Sequence, residues 1–292
     1  MAMTIDARSS APTRRKKVRG PQLAADVVSY IVLIVATIVF VAPMLWMLAA
    51  SFMPLSQTTQ YPPRLIPHPF TLDAYRTIFA NYPFGVFLLN SFLISMITTL
   101  GSLVACCLSA FALSRLRFKG REVMFLSVIV TLIVPFAARM IPIFIGMRSI
   151  GWINTWLPVI VPIVLGNAYG IFLLRQFFMN IPRELDEAAA LDGSSVWTIL
   201  WRIYVPLSLP ALASLAVITF VNTWNELLVP LIFINNPELM PVSVGIAQLK
   251  GQASASWSWL MAGAVLSVVP LFLLYVFAQK YVVRGMTLNA GK

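Results

Sequence analysis

A chain of 292 residues that is 59% hydrophobic and 11% charged carries too few polar side chains for a water-soluble surface, where about a quarter of residues are charged. Apolar runs of span length place it in a membrane as a helical protein; the alternating segments of a transmembrane β-barrel do not occur. The net charge of +11 is not a nucleic-acid footprint, because the basic residues gather at the ends of apolar runs and in short connections.

Residues 1–25 read as a basic cytoplasmic tail, densest at Arg14, Arg15, Lys16, Lys17 and Arg19. The first apolar run, Val27 to Phe52, is too long for a signal-peptide core and lacks a small-residue cleavage site, so it is expected as a retained span. Five more spans are expected at Phe84–Leu113, Val123–Met147, Trp156–Phe178, Leu207–Ile234 and Trp259–Val283, with residues 26–292 forming one transmembrane domain. Pro135, Pro142, Pro158 and Pro162 interrupt the third and fourth, which membrane helices tolerate when neighbours satisfy the freed backbone groups. Adjacent Cys106 and Cys107 make neither a disulfide framework nor a metal spacing and read as small packing residues. Two loops are expected on the outer side, 54–83, rich in proline and irregular, and 235–257. His68, the one histidine, lies in the first loop without partners for zinc or a triad, so no metal site is expected.

Orientation follows from Lys and Arg. With the N-terminus inside, the inner connections and tails hold all but Arg64, Arg76, Arg148 and Lys250, apart from Arg139 within the third span. Both termini and residues 179–206 are therefore expected in the cytoplasm.

That inner loop holds Glu184, Asp186, Glu187 and Asp192, four of the ten acidic residues. Asn180 and Pro182 suit a helix start, and Arg183 to Leu191 reads as a short helix with its acids at the positive end of the dipole. Ala188, Ala189 and Ala190 favour helix and let a partner approach closely. Gly193 permits the left-handed turn that ends such a helix, and Ser194 or Ser195 can cap a second. Val196, Ile199, Leu200 and Ile203 then give one apolar face, with Trp197 and Trp201 suited to the headgroup region. An anionic inner leaflet would repel four carboxylates, which favours a protein partner over a connector lying on the bilayer. No Gly-x4-Gly-Lys-Ser/Thr phosphate loop occurs, so any use of ATP needs another chain.

Glu187-Ala188-Ala189, Gly193, Ile203 and Val205-Pro206 resemble the signature loop of permease subunits of binding-protein-dependent ABC importers. Val205 replaces the usual Leu, an apolar exchange. Trp224-Asn225-Glu226 and the tail from Val283 to Lys292 are similar to the carbohydrate-uptake branch and its maltose-type second permease. The resemblance implies an all-α, six-span, type I importer permease fold whose loop forms a coupling helix. It implies a second permease subunit as heterodimer partner, two copies of a cytoplasmic ATPase that hold ATP and Mg, and an extracytoplasmic substrate-binding protein. It also implies a multi-pass inner-membrane subunit that is a transporter and not an enzyme, and that binds no cofactor. Glu187, Ala188, Ala189, Asp192 and Gly193 would carry coupling.

Ionisable residues inside spans are functional hypotheses by default, and Arg139 and Glu226 stand out. They line a substrate path or form a structural pair; Arg139 has snorkelling as a further reading, and for Glu226 the structural role is favoured. Asn167, Tyr169, Asn222 and Asn225 add hydrogen bonders suited to sugar hydroxyls, each of which also suits a helix–helix contact. An ion-gradient transporter would want more carboxylates in broken spans, and a membrane enzyme a catalytic constellation that is absent. The cargo is left as a sugar or sugar-like solute, with a phosphorylated polyol as the alternative that Arg139 would suit.

Overall fold

A computed structural model describes residues 20–58, 60, 64–252 and 257–287; the Arg14–Arg19 cluster, Pro62, Pro63 and the tail beyond Thr287 lie outside the described residues. Among the described residues there are helices and connections and no strand. In chain order they are α1 (Gly20–Ser51), α2 (Leu55–Thr58), α3 (Asp73–Asn81), α4 (Phe84–Arg115), α5 (Arg121–Val130), α6 (Phe136–Ser149), α7 (Leu157–Gly166) and α8 (Ala168–Met179). Then come α9 (Glu184–Leu191), α10 (Val196–Ile199), α11 (Val205–Leu207), α12 (Leu209–Asn225), α13 (Leu228–Phe233), α14 (Val242–Gln252) and α15 (Trp257–Thr287). A π turn, Leu200–Tyr204, joins α10 to α11, and a 3-10 turn, Pro237–Leu239, precedes α14.

The chain divides into two units, Met1–Trp46 and Met47–Lys292. In the first, α1 returns the hydroxyls of Ser29 and Thr37 to carbonyls one turn back, at 2.8 and 2.7 Å, as a helix in lipid must satisfy its own polar groups. The second unit is built around α4, which packs on α7, α8 and α12. Its buried Ser91, Ser95, Thr98, Thr99 and Ser102 are small enough for neighbouring backbones to approach. Where α8 crosses, a Cβ on Gly170 would lie 2.7 Å from Cys106 Sγ, so only glycine fits there. Cys106 and Cys107 are free and buried in this packing.

Four described helical segments are long and apolar enough to cross a membrane: Ala25–Ser51, Phe84–Arg115, Leu157–Met179 and Trp257–Phe277. A fifth counts if Val196–Leu207 and Leu209–Asn225, which meet at 78°, are taken as one. The span expected at Val123–Met147 is not continuous. It breaks between α5 and α6, where Pro135 takes an extended ψ of 142° and cannot donate to the helix behind it. The span expected at Leu207–Ile234 also breaks, at Glu226–Leu227, between α12 and α13.

The segment 235–257 is more than a loop, because α14 within it buries Val242, Val244 and Leu249 against α4 and α15. Asn90 Nδ2 donates to the carbonyls of Glu238 and Met240 at 2.8 and 3.0 Å, and Ser91 Oγ accepts from Val242 N at 2.7 Å. The proline-rich loop is organised by buried Gln57, which donates to Ile66 O at 2.8 Å and accepts from His68 N at 2.9 Å. A Cβ on Gly245 would sit 2.3 Å from the Phe87 ring. Gly245→Leu is therefore expected to lift α14 and destabilise the protein by about 1–3 kcal/mol, the usual cost of overpacking. A thermal midpoint in detergent equal to that of the wild type would contradict this seating.

Candidate functional site

Two places gather the residues singled out from the sequence. The first is the connection around α9. Arg183 occupies the N-cap position without a side-chain cap, while Asn180 closes α8 instead, so the helix starts later than Asn180 and Pro182 suggest. Glu184, Asp186 and Glu187 fill its first turn. Asp192 ends the helix, Gly193 follows in the left-handed region with φ +76°, and Ser195 Oγ accepts from Thr198 N at 3.2 Å to start α10. Glu187, Ala188, Asp192 and Gly193 are exposed, Ala189 is half-buried, and Leu191 is 88% exposed.

What holds this exposed helix is buried. Arg115, at the end of α4, has a side chain 5% exposed and lies 3.4 Å from Asp186 Oδ2. Its Nη2 donates to the carbonyls of Phe178 and Ile181, and its guanidinium sits 5.0 Å above the Tyr204 ring. Tyr204 donates to Asp186 Oδ1 at 2.6 Å and packs edge-on against Phe111 and Phe178. Burial and the Asp186 carboxylate both push the Tyr204 hydroxyl pKa up, so it stays protonated and donates. A second tie joins α5 to α8: Arg175 Nη2 lies 3.1 Å from both Glu122 oxygens, and its guanidinium sits 3.8 Å over Phe125.

The second place is a cavity of about 700 Å³ among α6, α7, α8, α12 and α13. Arg139, Asn167, Tyr169, Asn222 and Glu226 line it; Asn225 is not among the lining residues and returns its amide to Val221 O at 2.9 Å. Thr219, Asn222, Thr223 and Glu226 follow i, i+3, i+4, i+7 spacing, which puts one polar stripe of α12 on the cavity and leaves Asn225 off it.

Hydrogen bonding sorts these residues. Asn167 Nδ2 donates to Ser102 Oγ at 2.8 Å and its Oδ1 accepts from Gly170 N at 2.9 Å, so its amide holds the α7–α8 junction. Glu226 Oε1 accepts from Leu228 N and Val229 N at 2.9 and 3.2 Å, capping α13 where α12 stops. Arg139, Tyr169 and Asn222 have no hydrogen bond or ion pair among the described residues, and Arg139 and Glu226 do not pair with each other. Thr223 Oγ1 is buried within the cavity wall and has no partner among the described residues.

The family model of the binding-protein-dependent transport system inner membrane component matches residues 97–288, a stretch that includes α9 and the whole α12 stripe. The chain belongs to this family. It is thus a transport permease subunit, not an enzyme. The sulfoquinovosyl glycerol transport system permease protein SmoH of Agrobacterium fabrum is 33% identical over 251 residues, covering 86% of this chain and 88% of that one. The arabinooligosaccharides transport system permease protein AraQ of Halalkalibacterium halodurans is 32% identical over 262 residues, covering 88% and 94%. A bacterial ABC transporter involved in the import of the acidic polysaccharide alginate shares the fold, with a TM-score of 0.76, 24% identity and coverage of 93% and 99%.

In this permease Trp224-Asn225-Glu226 is a packing and capping device. Trp224 is buried, stacks on Phe220 at 5.8 Å and donates to Ser267 Oγ at 3.4 Å, while Asn225 and Glu226 end α12 and start α13. Three residues of the two sites escape a residue-by-residue reading: Arg115, Tyr204 and Thr223. The α12 stripe carries a signal for Thr223. Tyr204 reaches the core through the π turn, in which Val205 N bonds Leu200 O, five residues back, so a strict 3.6-residue count misplaces it.

Proposed function

We propose that this permease is one half of the channel of an ATP-driven importer that moves a sugar or sugar-like solute from a binding protein to the cytoplasm. Supporting this reading is one observation above the others: α9 projects an exposed acidic and small-residue surface, with Leu191 at its tip, from a buried Arg115–Asp186–Tyr204 mount. A connector lying on lipid has no use for a rigid mount beneath a face of carboxylates. In the proposed assembly α9 is the coupling helix and seats in a groove of a cytoplasmic ATPase, two copies of which hold ATP and Mg. A second permease completes the channel, a substrate-binding protein docks on the outer face, and both termini lie in the cytoplasm.

Six crossings are part of the proposal, with α5–α6 and α12–α13 as broken spans whose ends border the cavity. ATP-driven closure of the ATPases would move α9 as a rigid body and bias the cavity between inward- and outward-facing packings. The carbohydrate assignment draws on the named cargo of the relatives, and on Tyr169 and Asn222, which are exposed on the cavity and make no hydrogen bond among the described residues.

Co-purification of this chain with a separate ATPase and a second permease is the expected result. ATP-independent uptake by this chain alone in vesicles would contradict it. Asn222→Ala and Tyr169→Phe are expected to lower the uptake rate about tenfold each, as loss of a cavity hydrogen bond of about 1.4 kcal/mol would. Unchanged affinity and rate in both would remove the cavity from the path.

A further inference from the structure

The way the cavity spends its polar groups bears on the charge of the cargo, granted the importer reading above. Two ionisable side chains of opposite sign border this space, and among the described residues they form no ion pair. Glu226 is already engaged, its Oε1 held by the backbone N–H groups of Leu228 and Val229. Arg139 is not engaged: among the described residues no hydrogen bond or ion pair reaches its guanidinium. The wall around it is mostly apolar, with Leu132, Phe136 and Ile143 on the adjoining α5–α6 stretch.

A guanidinium keeps its charge in any protein environment and offers a planar fork of donors that fits two oxygens of one anionic group. While the cavity holds water, that charge is solvated. A neutral sugar would displace that water without replacing the charge it solvates, and Glu226 on the same space does not pair with Arg139 among the described residues. A carboxylate, sulfonate or phosphate ester would replace the water with a charge-assisted, two-point contact.

We propose that the cargo is an anionic sugar or polyol derivative and that Arg139 is the counter-charge for its carboxylate, sulfonate or phosphate group. Tyr169 and Asn222 hold the hydroxyls of the same molecule, so the site reads one anionic end and one hydroxylated body. Arg139 sets specificity; it takes no part in ATP use.

The test uses the complete importer in proteoliposomes, with its binding protein and ATPases, and labelled probes in matched pairs: galacturonate with galactose, and sn-glycerol 3-phosphate with glycerol. Glutamate serves as an anionic solute that is not a carbohydrate. Uptake of an anionic sugar or polyol in preference to its neutral twin is expected. Arg139→Gln should cut that uptake at least tenfold, and Arg139→Lys, which keeps charge without the fork, should fall between. Co-purification of Arg139→Gln with its partner subunits at wild-type yield keeps the loss from being one of assembly. Equal or better uptake of the neutral twin, uptake of neither anionic probe, or unchanged uptake by Arg139→Gln would overturn the proposal and leave the importer standing. Uptake of glutamate alone would overturn the carbohydrate reading itself.

Discussion

Replacing Gly193 by proline is expected to abolish uptake while the permease still inserts and assembles at normal abundance. Gly193 sits at φ +76°, and proline is confined near −65°, so the turn between α9 and α10 has no unstrained form with that residue. Proline also removes the Gly193 N–H that donates to Ala190 O at 3.0 Å and closes the last turn of α9. The combined strain is about 3 kcal/mol or more, enough to unseat a two-turn helix that has little core of its own. Nothing lies within 4 Å of a Cβ built at Gly193, so Gly193→Ala tests the backbone alone and should give a milder defect. Glu187→Lys is the surface counterpart: Glu187 is exposed and its carboxylate makes no hydrogen bond or ion pair among the described residues, so its reversal leaves the mount intact and changes only what a partner meets. Normal uptake by Gly193→Pro or Glu187→Lys at normal membrane abundance would overturn the coupling role of α9.

Asp186→Ala is the second change with a large expected effect, and it works from beneath. It removes the carboxylate shared by Arg115 and Tyr204, leaving a guanidinium 5% exposed without its ion pair. Stranding a buried charge costs about 3 kcal/mol. The expected outcome is a loosened α9, seen as faster amide exchange over 184–191, with ATP hydrolysis no longer responsive to loaded binding protein. Tyr204→Phe removes only the hydroxyl that donates at 2.6 Å and keeps the ring against Phe111 and Phe178, so its defect should be smaller. Exchange over 184–191 that stays at the wild-type rate in Asp186→Ala would show that the mount does not hold the helix.

What was legible in the sequence was local. Gly193 and Ser195 are recognisable because a left-handed turn and an N-cap each need a particular residue within a few positions. The long apolar runs of α4 and α15 are legible for the same kind of reason, as composition over one continuous helix. The breaks were not. Pro135 was visible, but whether a membrane proline bends or stops a helix depends on neighbours that re-satisfy the backbone. The end of α12 depends on Glu226 turning its carboxylate onto α13, a contact that apolar periodicity does not register. α14 reads as loop because Ser243, Gln248 and Lys250 dilute its apolar face, and what fixes it is Asn90 and Ser91, some 150 residues earlier.

The candidate sites divide along the same line. Glu187, Ala188, Asp192 and Gly193 were found because an exposed, acidic, small-residue segment is anomalous beside two apolar runs. Arg115 was counted only as an inner-side cation, since nothing in its own neighbourhood announces that it will reach Asp186 and the carbonyls of Phe178 and Ile181. In the cavity, residue type alone put Asn225 on a par with Asn222. Helical spacing separates them, and it also brings in Thr223, whose hydroxyl is buried in that wall without a partner among the described residues.

In the proposed assembly α9 delivers the work of a partner ATPase to this chain. Photo-crosslinking from position 191, 88% exposed at the end of the helix, probes this in the assembled and transport-active importer. An adduct with the ATPase subunit is expected from position 191, and none from position 172 on α8. Adducts to lipid alone from position 191, with uptake intact, would contradict it.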